Sequence, residues 1–311
     1  MDIEIPAPFA CDVKRGPPRW RYHGNLSTVM GAFMQLEDIQ RIAAFDDNGQ
    51  GGNPAGVWIG AALPPAAEMA RIAHEVGFSE TAFAAPEGEA WRVRYFSPES
   101  EVPFCGHATI ALGAALARAH GDGRYALTLN AASITVEGRR DGERAHAALQ
   151  SPPTRSKTAD AALVDAALAL FGYTRADLDP RIPPALAHGG ADHLVLALSS
   201  RALLAAMRYE LDAGRALMLE HGLVTVVLAW AEHPQLFHTR NPFASGGVHE
   251  DPATGAGTAA LAGYLRDIGW PHGGRIEIVQ GEDMGARSRL TAEIGEQAGG
   301  SIRITGTARL I

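Results

Sequence analysis

The sequence predicts an α+β fold built from two similar halves, each wrapping sheet around a buried helix. Three observations predict it. A sixteen-residue pattern occurs twice, as EVPFCGHATIALGAAL at 101–116 and EDPATGAGTAALAGYL at 250–265. The copies agree without a gap at Glu101/Glu250, Pro103/Pro252, Gly106/Gly255, Thr109/Thr258, Ala111/Ala260, Leu112/Leu261 and Leu116/Leu265. In each copy, Pro and Gly mark an irregular approach, and small or apolar residues follow without a charge until Arg118 or Arg266. Such a helix is buried on every face and needs sheet around it. The rest of the chain reads as short strands broken by isolated helices, not as regular βαβ alternation.

The loop at 49–58, GQGGNPAGVW, is glycine-rich, but Pro54 follows at once and there is no G-x-G-x-x-G register, so a dinucleotide loop is excluded. It feeds a strand at 55–59, with the Asn53 amide at the strand's start; a plain turn is the alternative. Residues 65–76 form an amphipathic helix with Met69, Ile72, Ala73 and Val76 on one face, Pro65 in the first turn and Gly77 at the end. An apolar run at 81–85 follows. Strands are expected at 91–96, 124–129, 133–138, 193–198, 223–229, 275–279 and 301–305, from alternation, β-branched residues and flanking Gly. A second outer helix covers 160–170. The Pro-rich, polar stretch at 151–157 is the linker candidate between the halves.

The repeat also suggests chemistry. The first turn of each buried helix carries free N–H groups and the positive end of a dipole, and two such ends facing each other make an anion site. Two core helices that merely begin with Gly are the alternative.

Composition narrows the partners. The chain has 311 residues, 46% hydrophobic and 20% charged, with a formal net charge of −8. That is a globular composition long enough for two domains. Without a Lys/Arg stripe it carries no footprint for nucleic acid or an anionic membrane, and a small-molecule partner is expected. Only Cys11 and Cys105 occur, which excludes a disulfide framework or a zinc-cysteine motif and fits a reducing cytoplasm. No run reaches membrane-spanning length, and residues 1–33 lack a signal-peptide pattern; they read as an irregular extension, with Met34 as an alternative beginning. The His residues show no HExxH or other close spacing backed by carboxylates, so no metal site is read.

Three titratable residues stand at element ends. Glu80, between the end of a helix at Gly77 and the start of an apolar run, is either a solvated strand-end charge or a desolvated general acid/base. His107 follows Gly106 at a helix start. Asp251 precedes the second helix, where a capping residue is the ordinary reading. Cys105 raises a fourth possibility. Paired thiols on opposite sides of a carbon can racemise it, but the position equivalent to Cys105 is Thr254, and an alcohol is too weak a base to match a thiolate. For Cys105 a small buried hydrophobe is the alternative.

Taken together, GNPAGVW at 52–58, FSETAF at 78–83, YFSPESEVPFCGHAT at 95–109, EDPATG at 250–255 and QGEDMGARSRL at 280–290 resemble the PhzF-like (phenazine-biosynthesis) isomerase/epimerase family, of the diaminopimelate-epimerase-like fold. The resemblance runs from about residue 36 to the C-terminus. It implies two pseudo-repeated domains, each a mostly antiparallel β-barrel around a central helix, with the active site in the cleft between them. The expected division is 34–150, completed by a C-terminal strand at about 300–311, and 151–299. The resemblance also implies an enzyme without a cofactor, a homodimer, acting on a small carboxylate metabolite. In the phenazine enzyme a glutamate moves a proton between carbons of 2,3-dihydro-3-hydroxyanthranilate, and the match carries that role to Glu80. It carries catalytic or substrate-contacting roles to His107 and Asp251, and substrate binding to Asn53, Gly106, Thr254, Gly255 and Ala256. Where the phenazine enzyme has a substrate-contacting serine after its EDPxTG motif, this chain has Ala256, which keeps the N–H but not the hydroxyl. The alternatives are a proline-racemase-like dehydratase with Cys105 as base, and a non-catalytic small-molecule binder.

Overall fold

The structure is a computed structural model and describes residues 34–311. The N-terminal extension read at 1–33 lies outside the described residues, and Cys11 with it.

In the first half the order is β1 (Gln40–Ala44), β2 (Asn53–Ile59), α1 (Ala66–Val76), β3 (Thr81–Glu87), β4 (Ala90–Phe96), β5 (Glu101–Val102), α2 (Gly106–His120), β6 (Gly123–Thr128), β7 (Ser133–Asp141) and β8 (Arg144–Gln150). The second half runs β9 (Arg155–Thr158), α3 (Ala161–Phe171), β10 (Ala185–His188), β11 (Asp192–Ala197), α4 (Arg201–Ala205), α5 (Leu211–Glu220), β12 (Thr225–His233), β13 (Leu236–Phe243), β14 (Val248–Asp251), α6 (Gly255–Asp267), β15 (Arg275–Gln280), β16 (Ser288–Ile294) and β17 (Ile302–Leu310).

Strand pairing closes the first half into a ring, β1-β2-β3-β4-β6-β7-β8-β17 and back to β1, in which only β2–β3 and β4–β6 are parallel. The second half repeats the scheme as an open ring, β9-β10-β11-β12-β13-β15-β16-β17, with no ladder between its end strands β9 and β17, parallel only at β11–β12 and β13–β15. Each ring takes its parallel steps at the same two places, so the repeat seen in sequence is a repeat of topology. α2 fills the first ring and is buried from Gly106 to Ala117; α6 fills the second and is buried almost as completely. The sequence pattern explains this. Ala, Gly, Thr and Leu on every face leave no side that water could stabilise.

The outer layer explains why some strands read as continuous apolar runs. In β11 and β12, Val195, Ala197, Val227 and Ala229 face the α6 core, while Leu194, Leu196, Val226 and Leu228 pack under α3 and α5. Both faces are buried, as a parallel pair beneath helices requires. On the first half α1 plays the covering part with Met69, Ile72 and Ala73, and it stops at Gly77, which adopts a left-handed φ of 71°.

One expectation is corrected here. The 151–157 stretch is not a free linker: Ser151 N donates to Ile302 O at 2.9 Å, Thr154 N donates to Gly299 O at 3.1 Å, and residues 155–158 form β9 against β10. Polarity and proline disguised a crossing segment whose backbone is bonded to the end of the chain. The two prolines fall where the chain leaves one ring for the other, so their missing N–H groups cost no ladder bond.

Candidate active site

The site is assembled by two delivery loops of the same design. Arg94 on β4 forks onto Glu101 of β5, with Nε to Oε1 at 2.7 Å and Nη2 to Oε2 at 2.5 Å. Arg240 on β13 forks onto Glu250 of β14 in the same way, at 3.0 and 2.6 Å. The repeated Glu of the two motifs is therefore one half of a bidentate pair that pins a short strand to its neighbour. Beyond each pair the chain turns through Pro103 or Pro252 into Cys105 or Thr254, the extended N-cap residues of α2 and α6.

Neither side chain caps its helix. The first intrahelical bonds are Thr109 N to Cys105 O at 3.0 Å and Thr258 N to Thr254 O at 2.9 Å. The N–H groups of Gly106, His107, Gly255 and Ala256 thus have no acceptor within their own helices. The two helix starts abut: a Cβ on Gly106 would lie 3.1 Å from Gly255 Cα and 3.3 Å from Ala256 N. Glycine permits that approach without displacing the facing helix, and it brings two positive dipole ends to one place.

Glu80 reaches this place from the end of the α1–β3 turn, anchored where Gly56 N donates to its carbonyl at 3.2 Å. Its side chain is only 10% exposed, and Oε2 lies 3.5 Å from His107 Nε2. Ser79 Oγ is 3.4 Å from the same nitrogen, and Cys105 Sγ is 3.3 Å from His107 Nδ1. Glu80 is therefore a desolvated carboxylate and not a solvated strand-end charge. Burial pushes the Cys105 thiol well above its usual value, and the neighbouring Glu80 charge pushes it further.

From the other half comes Asp251. It is not the cap of α6, since the cap is Thr254; instead Thr254 Oγ1 donates to Asp251 Oδ2 at 2.6 Å, and Asn53 Nδ2 donates to Oδ1 at 2.6 Å and to Ala253 O at 3.0 Å. Gln280 completes the frame. Its Nε2 donates to Asp251 O at 2.6 Å and to Thr254 Oγ1 at 2.9 Å, while its Oε1 accepts Thr254 N–H at 3.1 Å. Burial raises Asp251 to about 6, against the opposing pull of His107 and of the hydrogen bonds from Thr254 and Asn53; the Glu80 charge adds to the rise. Asp251 thus feels both Glu80 and His107, which makes the two clusters one site.

The fold brings together Asn53, Glu80, Cys105, Gly106 and His107 with Asp251, Thr254, Gly255 and Ala256. Ser79, Gln280 and the two arginines were not read as site residues in the sequence; Gln280 opens the quoted QGEDMGARSRL motif, which was the available signal. The sequence reading also found no metal site, because it looks for ligands at short spacing. The fold places ligand atoms of Glu80, Cys105 and His107 within 4.8 Å of one another. Among the described residues, no helix is long and apolar enough to cross a membrane.

Comparison with known proteins agrees with this architecture. Residues 42–311 match the family model described as phenazine biosynthesis-like protein. An uncharacterized isomerase of Pseudomonas aeruginosa is 33% identical over 74% of this chain and 82% of its own length. The trans-2,3-dihydro-3-hydroxyanthranilate isomerase of the same organism is 32% identical over 81% of this chain and 88% of its own. The crystal structure of a hydroxyproline epimerase from Agrobacterium vitis superposes with a TM-score of 0.59 at 14% identity, covering 88% of each chain, a likeness of fold alone. Two rings about two abutting helices, and a match that spans nearly all the described residues, place the chain in the phenazine biosynthesis-like family of isomerases.

Proposed function

We propose that this isomerase moves a proton between or on carbons of a small carboxylate-bearing metabolite, without a cofactor, and that Glu80 is its general acid/base. The observation that carries the reading is Glu80 itself, a buried carboxylate beside His107 at the joint of two helix N-termini. A proton leaves a C–H bond for Glu80 and returns from Glu80 to another carbon, or to the same one. Negative charge then spreads onto the substrate carboxylate, where the N–H groups of Gly106, His107, Gly255 and Ala256 can stabilise it. His107 and Asp251 orient hydroxyl or amino substituents.

The two halves differ where it matters for this reading. Glu80 immediately precedes β3; in the corresponding place before β12 stands Val224, 36% exposed. The repeat supplies one carboxylate base, which suits return of the proton to another carbon on the same face; inversion at a single carbon would need a second proton donor on the opposite face.

A second reading has Cys105 as the base, favoured by the equivalent stations of Cys105 and Thr254 as N-caps of α2 and α6. It is the weaker one, because burial holds the thiol in its protonated form and Thr254 Oγ1 already donates to Asp251.

Proton exchange in D₂O, followed by NMR over a panel of cyclic and linear amino- and hydroxy-carboxylates, separates them. Deuterium should enter a C–H position, fall by about 10² to 10⁴ in rate in Glu80→Gln, and survive in Cys105→Ala. Full exchange by a folded Glu80→Gln protein would reject Glu80 as base, and loss confined to Cys105→Ala would transfer the role to the thiol.

A further inference from the structure

Glu80, Cys105 and His107 come from two separate segments, a turn before β3 and the first turn of α2, and converge as a carboxylate, a thiol and an imidazole. Their side chains are nearly closed to water: Glu80 is 10% and His107 5% exposed by side chain, and Cys105 is 8% exposed as a residue. We infer that these three residues bind a thiophilic divalent cation, zinc being the type, and that a bound cation takes the site out of service.

The geometry fits that ion. With Zn–S near 2.3 Å and Zn–N near 2.0–2.1 Å, tetrahedral coordination puts sulfur and nitrogen roughly 3.6 Å apart. Cys105 Sγ and His107 Nδ1 stand 3.3 Å apart, one ligand atom from each of the three residues lies within 4.8 Å of the others, and Glu80, whose Oε2 stands 3.5 Å from the ring's Nε2, completes the set by turning its carboxylate toward the ion. Supporting contacts are in place. When Nδ1 holds the ion, Nε2–H faces Ser79 Oγ at 3.4 Å, which sets the ring's tautomer and orientation. Burial holds the free Cys105 thiol protonated, so the ion must displace that proton, as a coordinating metal does when it deprotonates a thiol outright. Asp251, within electrostatic reach of both His107 and Glu80, adds a second carboxyl group near the three ligands. Three protein ligands leave a fourth position for water. The ion and the proton compete for the Glu80 carboxylate, so a loaded site cannot exchange a substrate proton.

Cobalt(II), which takes the same ligands and is coloured, tests the site without any substrate. Titration of the full chain should give one equivalent with an intense sulfur-to-cobalt charge-transfer band in the near ultraviolet, and zinc should erase it. The band should vanish in Cys105→Ala, and cobalt affinity should fall at least tenfold in His107→Gln, with melting curves recorded for both to show that they fold. Cys11→Ala should leave the band intact, which excludes the chain's other thiol. No charge-transfer band in the native chain, or a band that survives Cys105→Ala, overturns the inference. If Cys105→Ala does not fold, the combined behaviour of Cys11→Ala and His107→Gln decides: a band lost in the first, or unweakened cobalt affinity in the second, overturns it as well. None of these outcomes bears on whether Glu80 is the base, which D₂O exchange in metal-free buffer decides separately.

Discussion

Asn53 and Thr254 both donate to Asp251, yet burial still raises this carboxyl to about 6 from an ordinary 3.8. Two good hydrogen bonds therefore do not fully replace the water that the ionised group has lost. The consequence for stability has a definite sign. Between about pH 4 and 6 the folded chain keeps a proton that the unfolded chain has released, so the contribution of Asp251 is full below pH 4 and is lost as pH rises through 6. Asp251→Asn, which cannot ionise, should gain on the native chain across that window by up to roughly 2–3 kcal/mol and then run parallel above it. Urea unfolding of both proteins at a series of pH values measures the difference, and a gap that stays constant through the window would show that Asp251 keeps an ordinary pKa. A second residue-scale prediction concerns Gly106. Alanine there would put a methyl group 3.1 Å from Gly255 Cα, wedging the helix starts apart. Gly106→Ala should lower turnover by roughly tenfold, less than the 10²-fold that a full ångström of misplacement can cost, while its melting temperature falls only moderately; exchange kinetics set beside a melting curve test this.

The two Arg–Glu forks look alike but differ in environment. Arg240 and Glu250 are 11% and 5% exposed by side chain, whereas Arg94 and Glu101 are 22% and 26% exposed. Removing one partner of a buried pair leaves the other charge stranded, at a cost of about 3–5 kcal/mol, while a solvent-screened pair contributes about 1 kcal/mol or less. Arg240→Met should therefore destabilise the chain far more than Arg94→Met, and it should also loosen β14 and hence Asp251. Parallel denaturant curves check the ranking, and equal costs would refute it. Such elements also show where the sequence stops being legible. α2 and α6 were readable because an uncharged, small-residue run can only be buried, and β3, β4 and β11 because their patterns are strong. β14 was not, since its four residues, VHED, are held by pairing and by an ion pair, not by a hydrophobic face. β8 hid because its inward residues include Ala145 and Ala147, whose small side chains give little alternation signal. α5 carries Gly214 within its apolar pattern and buries only Gly214 and Met218. Glu80, His107 and Asp251 were legible as single residues at element ends. Gln280 was not, because its whole role is to bond backbone and side-chain atoms 26 and 29 residues away.

At the scale of the molecule, β17 is the strand that both rings need. Its residues 302–305 pair with β16 of the second ring, residues 303–309 pair with β8 of the first, and residues 308–310 pair with β1. Ile302 and Ile304 on it are fully buried in the core that α2 and α6 share. The first ring cannot close, nor the second keep its last strand, without these nine residues, and they cannot leave one ring and stay in the other. The pseudo-repeat is thus two halves in topology but one unit in unfolding. Calorimetry should show a single transition for residues 34–311, with calorimetric and van't Hoff enthalpies in agreement. Ile304→Ala should shift that transition down by the cost of a buried cavity, about 2–5 kcal/mol, without splitting it. Two resolved transitions, in the native chain or in the variant, would mean that each ring holds its own free energy and that β17 is a seam, not a shared wall.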